Sequence, residues 1–366
     1  MKLVYCINGF YRAAGMERVL ADKANWLAAH GYAVTILTTD QLGRPDAFPL
    51  DPRIAKFDLG INYESNNGGS LLDKLLHYPA KQRRHRRALA AKLSEIRPDI
   101  SISMFCNEVN LLPRMHDGSR KVLEIHFSRF KRLQYGRRGL WALIDRFRSR
   151  QDEKLAARYD RFVVLTEEDK GYWPQLPNLR VIPNPRPFTL PEPASLDSHT
   201  LLAVGRYTHQ KGLDLLLQAW KMIDTQGWTL RIAGSGDPLG EVPDNVITGP
   251  SANIQEEYRN AAFLVMSSRY EGLPMVLLEA QAAGLPVVSF ACKCGPKDVI
   301  TDGEDGILIP EGDIEGLASD MKRLMDDIDL RRNMGAAAFH NSDRYDKERI
   351  MHQWDRLFKD LNIINR

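Results

Sequence analysis

Long hydrophobic runs are missing from this sequence of 366 residues. A membrane-spanning helix needs roughly 18 or more consecutive apolar residues, and no stretch of the chain reaches that length. The apolar run at the N-terminus, residues 3–7, is only as long as a strand, so it does not follow the plan of a secretory signal. We therefore expect a protein that is soluble or that lies on a membrane surface.

Cysteine is scarce, with only Cys6, Cys106, Cys292 and Cys294. Their spacing fits no zinc-binding pattern, and the Cys-Lys-Cys arrangement at 292–294 is too close for a usual ligand pair or redox motif. We expect reduced thiols, as in a cytoplasmic protein.

Two signatures of common enzyme classes are also absent. The loop at residues 9–15 has a glycine at each end but not the Gly-x-Gly-x-x-Gly spacing, so a nicotinamide-dependent Rossmann enzyme is poorly supported. No clear carboxylate cluster is apparent that could hold a magnesium ion, so we predict no metal site and no cofactor. There is no internal repeat and no low-complexity tract.

The net charge of +3 conceals an uneven distribution of charge. Residues 1–187 contain 32 Lys and Arg against 20 Asp and Glu, whereas the remainder contains 18 against 27. A basic first half favours an anionic partner: a membrane surface, a pyrophosphate-bearing molecule or nucleic acid. Nucleic acid is the weakest of these, because the basic runs contain no recognisable nucleic-acid-binding module.

Aromatic residues are interleaved with part of this basic charge. The basic clusters are residues 81–87, 129–138 and 146–150, and the aromatic residues near the last two are Phe130, Tyr135, Trp141 and Phe147. A helix of this composition can lie in a lipid interface, although ordinary solvated helix faces look similar.

Predicted strands and helices alternate in two blocks. A strand at 2–8, a helix at 16–30 and a strand at 33–39 form a βαβ unit, which implies a parallel sheet with right-handed crossovers. The proline-rich segment Pro183-Asn-Pro-Arg-Pro187 breaks regular structure, and the alternation restarts at 200–204. We predict two doubly wound α/β domains, residues 1–187 and 188–345, followed by a C-terminal helix, 346–366, that packs back on the first domain.

The remaining predicted elements complete both blocks. The helices are 71–96, 137–158 and 212–226. The strands are 54–59, 99–105, 121–126, 161–166, 180–182, 229–233, 246–248, 261–266 and 286–289.

The predicted strand at 261–266 leads into a turn and a helix within residues 269–283, and this stretch has an unusual pair of carboxylates. Gly272 permits the turn, and Pro274 suits the first turn of the helix, whose free N–H groups suit a phosphate. Glu271 lies just before the helix and Glu279 near its second turn. Either carboxylate could grip vicinal hydroxyls of a sugar or ribose. The alternative is that Glu271 is a loop charge and Glu279 a solvated helix residue.

Three other loops end neighbouring strands of the second block. Arg206 and Lys211 flank a turn between Gly205 and Gly212 and could hold two phosphates by charge-assisted hydrogen bonds. Gly234-Ser-Gly236 and Thr248-Gly-Pro250 follow the next two strands. Because the carboxyl ends of parallel strands share one edge of a sheet, we expect a nucleotide-diphosphate site there.

Two residues of the first block are candidates by position. His126 falls at the end of a predicted strand, where open parallel sheets place ligand groups, although a single histidine is more often structural. Gly15 begins a helix and could let a phosphate or sugar approach the backbone, or it could be a plain turn.

Together these motifs resemble retaining glycosyltransferases of family 4, which have the GT-B fold. The resemblance is carried by Gly205-Arg206, Lys211-Gly212, Ala233-Gly-Ser-Gly236 and the Glu271–Glu279 spacing. It extends over nearly the whole chain, since Gly15-Met-Glu-Arg18 matches the first-loop signature and Ile182-Pro-Asn-Pro185 the interdomain turn. Ala13-Ala14 departs from the family, in which many members have further glycine at that loop.

The resemblance implies a GT-B architecture, two Rossmann-like domains facing across a cleft, and a set of site residues. Arg206 and Lys211 would hold the donor diphosphate, Glu279 the ribose, and Glu271 and His126 the donor sugar. The backbone around Gly234 and Pro250 would meet the nucleotide, and Gly15 would approach the diphosphate. The helix start that would lie near sugar and phosphate comprises Gly272, Leu273, Met275 and Val276.

The implied reaction is retaining, metal-independent transfer of a hexose or N-acetylhexosamine from a UDP-sugar. The implied acceptor is a glycan or lipid-linked oligosaccharide of bacterial surface polysaccharide synthesis, at the cytoplasmic face of the inner membrane. Two alternatives remain open: a GT-B-fold nucleotide-sugar epimerase, and a non-catalytic nucleotide-sugar-binding protein.

Overall fold

The structure, a computed structural model, describes residues 1–66, 71–131, 133 and 139–363. Part of the predicted basic cluster 129–138, with Tyr135, lies outside these residues. Within the described residues the chain divides into two compact units, each built on a parallel sheet.

The first unit contains a sheet of seven described strands in the order β3-β2-β1-β4-β5-β6-β7, and every pairing is parallel. The strands are β1 (Lys2–Ile7), β2 (Ala33–Thr38), β3 (Ala55–Asp58), β4 (Ile100–Ser103), β5 (Arg120–Glu124), β6 (Arg161–Val164) and β7 (Leu179–Val181). The central strands β1 and β4 are almost wholly buried, as is typical of parallel strands that are covered by helices on both faces. The covering helices are α1 (Gly15–Ala29), α2 (Leu71–Ile96) and α3 (Leu140–Ala156).

The second unit contains a sheet of six described strands in the order β10-β9-β8-β11-β12-β13, again with parallel pairings only. The strands are β8 (Thr200–Val204), β9 (Thr229–Ala233), β10 (Val246–Gly249), β11 (Phe263–Met266), β12 (Val287–Phe290) and β13 (Gly306–Ile309). The helices of this unit are α4 (Glu167–Tyr172), α5 (Leu213–Lys221), α6 (Ile254–Arg259), α7 (Met275–Ala282), α8 (Pro296–Val299), α9 (Ile314–Asp326) and α10 (Ile328–Asn341). The prediction of two doubly wound α/β units is therefore confirmed.

Three predicted boundaries were wrong in ways that affect the candidate site. Strand β5 ends at Glu124, where its pairing with β6 stops, so His126 lies beyond the strand. Helix α7 begins at Met275, and Pro274 precedes it in an extended conformation as the N-cap. Helix α5 ends at Lys221, five residues before the predicted end.

Each unit is built from more than one stretch of the chain. The first unit comprises Met1–Val164, Trp173–Ile182 and the chain from Met351 onward, and the second comprises Leu165–Tyr172 and Pro183–Ile350. The chain passes to the second unit at Pro183, which is the first proline of the predicted linker.

The C-terminal helix α11 (Lys347–Ile363) packs on helix α1 of the first unit, as predicted. Trp354 and Phe358 are buried. The Tyr32 hydroxyl donates a 2.6 Å hydrogen bond to Asp355, and the His352 ring meets Trp26 edge-on. The face of α11 that contains Trp354 and Phe358 is therefore the one that packs on the first unit.

Among the described residues, no helix combines the length and apolar character required to cross a bilayer.

The loops after β8 and β9 pack so closely that a side chain is excluded at Gly234. A Cβ atom there would lie 1.9 Å from the carbonyl oxygen of Gly205, far inside van der Waals contact. Gly234 has an ordinary φ, so the constraint is steric rather than conformational.

We predict that Gly234→Ala lowers the free energy of unfolding by about 1–3 kcal/mol, because the clash is with backbone and needs a backbone shift. The measurement is urea unfolding. Gly171→Ala is the control, since a Cβ there meets nothing within 4 Å and alanine suits helix α4 better than glycine. A Gly234→Ala variant as stable as the wild type would show that the loops are not so tightly packed.

Candidate functional site

A partly buried ion pair joins two of the predicted site residues in the second unit. Lys211 Nζ lies 2.7 Å from Glu271 Oε1, and their side chains are 16% and 8% exposed. Lys211 ends a single 3₁₀ turn, His209–Lys211, and Gly212 follows in the left-handed conformation with φ 62°. A charge that is largely removed from water needs a partner of opposite sign, and these two residues supply that partner for each other.

The backbone around Lys211 is tied to the chain that carries Glu271. The Arg269 N–H donates to the Gln210 carbonyl at 2.8 Å, and the Gln210 side chain donates to the Tyr270 carbonyl at 3.0 Å. A Cβ at Gly212 would lie 2.0 Å from the Ser267 carbonyl oxygen. Only glycine therefore permits the backbone at residue 212 to come this close to Ser267. The ion pair is therefore set by two loops whose relative position is fixed.

Glu279 is held from a different element. It lies in the second turn of α7, is 6% exposed, and accepts a 2.6 Å hydrogen bond from the Tyr258 hydroxyl of α6. Because Glu279 is buried, the alternative that it is a solvated helix residue is wrong. Glu271 does lie in the loop before α7, but it is buried there. Burying two carboxylates at one sheet edge costs stability, which is expected at a site that serves function rather than folding.

Arg206 differs from its predicted partner Lys211. It is exposed and lies two residues after the end of strand β8. Within the described part of the chain, its side chain makes no hydrogen bond or ion pair. Its guanidinium is thus available for an anion, whereas the ammonium of Lys211 is already paired.

The start of helix α7 carries the predicted backbone contacts. Its N-cap, Pro274, offers no side-chain hydrogen bond to the first turn. Leu273 is buried, while Gly272, Met275 and Val276 are partly exposed. The first N–H groups of such a helix favour a negatively charged ligand.

The loop after β10 is held by a clamp that the sequence did not predict. Arg231 of β9 donates to the carbonyls of Gly249 at 3.1 Å and Pro250 at 3.4 Å. Glu257 of α6 holds the same guanidinium by hydrogen bonds of 2.7–3.1 Å. Arg231 and Glu257 are ordinary surface residues by sequence pattern, so no local signal marked them.

Tyr207 joins the three glycine-containing loops. Its hydroxyl donates to the Ile232 carbonyl at 3.0 Å and accepts from the Gly249 N–H at 2.8 Å. The Gly234 N–H donates to the Gly249 carbonyl at 2.9 Å. The predicted contact residues Gly234 and Pro250 therefore belong to one hydrogen-bonded group of loops.

Two predicted residues belong to the first unit. Gly15 is exposed and is the first residue of α1, whose N-cap, Ala14, makes no side-chain hydrogen bond. The His126 side chain is 8% exposed, with Nε2 at 3.1 Å from Glu124 Oε1. Glu17, in the first turn of α1, interacts electrostatically with His126, although burial is the larger influence and raises the pKa of Glu17. The start of α1 and His126 are therefore close in the structure.

No group of three or more His, Cys, Asp or Glu side chains that could hold a metal ion occurs among the described residues.

Family comparisons agree with this geometry. The model described as Glycosyltransferase Family 4 matches residues 13–187, and the model described as Glycosyl transferases group 1 matches residues 198–327. Together the two matched segments take in most of the chain, each within one half. This chain is a glycosyltransferase of family 4.

Relatives of this glycosyltransferase extend over its full length. The amylovoran biosynthesis glycosyltransferase AmsD of Erwinia amylovora is 28% identical over 374 aligned residues, which span 97% of this chain and 98% of AmsD.

Solved structures show the same fold. The sucrose-phosphate synthase of Thermosynechococcus elongatus superposes with a TM-score of 0.82 at 19% identity, covering 98% of both chains. HepE of Anabaena, solved in complex with UDP, superposes with a TM-score of 0.72 at 15% identity, covering 98% of this chain and 100% of HepE. The glycosyltransferase therefore has the GT-B fold.

We predict that Glu279→Gln weakens binding of a nucleoside diphosphate by about 10- to 100-fold, because a hydrogen bond to a charged group contributes about 1.5–3 kcal/mol. Glutamine keeps the size of the side chain and an acceptor for Tyr258, so stability should change little. Isothermal titration calorimetry measures the affinity. Tyr258→Phe is the control, because it removes the internal hydrogen bond and leaves the carboxylate. Unchanged affinity in Glu279→Gln would remove Glu279 from the nucleotide site.

Proposed function

We propose that this glycosyltransferase transfers a hexose or N-acetylhexosamine from a UDP-sugar with retention of configuration and without a metal ion. The observation that carries this proposal is the partly buried Lys211–Glu271 ion pair beside the exposed Arg206 and the uncapped start of α7. The acceptor is a glycan or lipid-linked oligosaccharide of bacterial surface polysaccharide synthesis.

The diphosphate leaving group explains the two cations. Negative charge develops on the departing nucleoside diphosphate, and positive groups already aimed at that position stabilise the transition state. Lys211 is held in place by Glu271, so its charge needs no reorganisation when the donor binds. Arg206 and the first N–H groups of α7 supply the remaining stabilisation, so the reaction proceeds without a metal ion.

The proposal of retention rests on the contact between Glu271 and Lys211. A carboxylate that is paired with a lysine at 2.7 Å is a poor nucleophile, so the proposal assigns Glu271 to hydrogen bonding of the donor sugar. The departing phosphate oxygen then deprotonates the acceptor hydroxyl on the same face of the sugar. His126 contacts the donor sugar from the first unit, and Gly15 allows the diphosphate to approach the backbone.

The choice of uridine is supported by the loop after β10. HepE, which has the same fold, was solved with UDP. In this chain Arg231 and Tyr207 hold the backbone of Gly249 and Pro250 in one conformation. A rigid backbone edge can discriminate between bases by its fixed donors and acceptors.

The role in surface polysaccharide synthesis is supported by the names of relatives. Shorter matches include a capsular polysaccharide biosynthesis glycosyltransferase of Staphylococcus aureus and a lipopolysaccharide 1,6-galactosyltransferase of Escherichia coli. Another relative acts on a diphosphate-linked undecaprenol acceptor, as its name states. The basic first half of this chain suits a negatively charged acceptor. It also suits a position of the protein on the cytoplasmic face of the inner membrane.

Helix α3 supplies the membrane contact in this proposal. Its inward side chains include the polar Asp145 and Ser149, which are 5% and 4% exposed, whereas Leu143 and Phe147 are 60% and 62% exposed. Three exposed cations lie on the same side of helix α3 as Leu143 and Phe147. They are Arg146, Arg150 and Lys154. An outward face that combines large apolar side chains with cations fits an anionic lipid surface.

The donor is identified by a thermal-shift screen of UDP, GDP, ADP and their sugars, with and without EDTA. A ligand at about a hundred times its dissociation constant stabilises the folded state by about 2.7 kcal/mol. We expect uridine nucleotides to give the largest shift and EDTA to leave it unchanged. A response that EDTA abolishes would overturn the metal-free proposal. NMR of the product should show the anomeric configuration of the donor, and inversion would overturn retention.

Arg206→Ala and Lys211→Ala should each lower the transfer rate about 100-fold or more, since a donor aimed at developing charge contributes about 2.7–4 kcal/mol. Lys211→Ala should also reduce stability, because it leaves Glu271 buried without its partner. Nucleotide release with acceptor present measures the rate, and Arg332→Ala and Lys322→Ala, both exposed, are matched controls.

A near-native transfer rate in both Arg206→Ala and Lys211→Ala would contradict the assignment of these residues to the donor diphosphate. Release of free nucleotide and an isomerised sugar without acceptor would indicate an epimerase, and binding without release would indicate a non-catalytic protein.

The double variant Leu143→Ser, Phe147→Ser should lose binding to anionic vesicles, because its apolar side chains no longer enter the interface. Co-sedimentation with phosphatidylglycerol vesicles at low and high salt measures this, and the electrostatic part should vanish at high salt. Met222→Ser is the matched control, since Met222 is 56% exposed in the second unit. Wild-type protein that fails to sediment at low salt would contradict the membrane proposal.

A further inference from the structure

A buried charge cluster lies next to His126, and the proposed reaction does not account for it. Lys23 of helix α1 and Glu124, the last residue of β5, are each 1% exposed. Lys23 Nζ lies 2.7 Å from both carboxylate oxygens of Glu124. Two fully buried charges are costly to retain for stability alone, so the pair calls for a further role.

The C-terminal helix closes this cluster on the side of the lysine. The ammonium of Lys23 lies 3.4 Å from the centroid of the Trp354 ring, which is 1% exposed, and 5.7 Å from that of Tyr5. A cation over an aromatic face is attracted to it, and more strongly where water is excluded. Lys23 is thus confined between Trp354 and Glu124.

The carboxylate of Glu124 is ionised and has one orientation. Burial alone would raise the pKa of Glu124, but the charges of Lys23 and His126 outweigh burial and lower the pKa to about 2. Burial lowers the pKa of Lys23, and Glu124 opposes that effect. Because Lys23 binds both oxygens, the carboxylate cannot rotate freely.

One oxygen of this fixed carboxylate faces His126. Glu124 Oε1 lies 3.1 Å from His126 Nε2, and this nitrogen is buried without an aligned hydrogen bond. Contacts of this kind are often misaligned in unliganded enzymes and tighten when substrate binds. An anionic acceptor beside Nε2 favours the tautomer that carries its proton there and leaves Nδ1 as the acceptor.

We propose that Glu124 is a positioning residue that orients His126 and selects its Nε2-protonated tautomer, with Lys23 and Trp354 holding the carboxylate in place. The importance of this orientation for transfer rests on the proposed function, in which His126 contacts the donor sugar. The tautomer itself does not depend on that function.

The test uses the double variant Lys23→Met, Glu124→Gln in the full chain. Removing both charges together avoids an uncompensated buried charge, and methionine and glutamine keep the side-chain volumes. The matched control is Asp117→Asn, Lys121→Met, which removes another buried ion pair of the same unit, with side chains 5% and 7% exposed, at the opposite end of β5.

The first readout is the nitrogen NMR spectrum of the protein labelled with ¹⁵N-histidine, at a pH where the His126 ring is neutral. His126→Ala assigns the signals. We expect the wild type and the control to show the Nε2-protonated tautomer, and the double variant to show a mixture or the Nδ1-protonated form.

The second readout is the split between donor binding and turnover. We expect the double variant to bind UDP like the wild type, because all the proposed nucleotide contacts except Gly15 lie in the second unit and neither substitution alters Gly15. We expect it to transfer sugar about 10- to 100-fold more slowly, as for a misplaced active-site group. The control should keep wild-type turnover.

An unchanged His126 tautomer in the double variant would overturn the proposal, and so would a loss of turnover no larger than in the control. A wild type that binds no nucleotide and transfers no sugar would refute the proposed function instead. In that case the tautomer comparison still decides the role of Glu124.

Discussion

In each of the two units, an ion pair joins a lysine to a glutamate where the strands of the parallel sheet end. Lys211 and Glu271 are paired in the second unit, and Lys23 and Glu124 in the first, both at 2.7 Å. A charge that is removed from water is tolerated only beside an opposite charge. The need to satisfy both partners therefore fixes the side chains before any ligand binds, and fixed charges are what electrostatic stabilisation of a leaving group requires.

The loops around these pairs depend on glycine for a different reason. Backbone oxygens of Gly205 and Ser267 lie where a Cβ atom of Gly234 or Gly212 would be, so the loops approach one another backbone to backbone. Backbone contacts then present N–H and C=O groups to a ligand, and their direction cannot be changed by side-chain rotation.

The two units hold different sets of the predicted site residues. The second unit holds Arg206, Lys211, Glu271 and Glu279 on its own loops and helices. The first unit contributes His126, with its buried support, and the basic helix α3. The burial of the Glu124 carboxylate and the exposure of apolar side chains on α3 are both unfavourable for folding. Such departures from folding rules are expected at functional positions.

The sequence alone determined the two parallel sheets, the C-terminal helix on the first unit and the family, because hydrophobic periodicity, loop glycines and motif spacing are local in the chain. It also marked Lys211, Glu271 and Glu279 as candidates. Only the tertiary structure decided that Lys211 pairs with Glu271, that Arg231 clamps the loop at Pro250, and that Lys23 supports Glu124 beside His126. These contacts join residues from 18 to 101 positions apart, and pairing over such separations depends on how strands and helices pack, which no local pattern encodes.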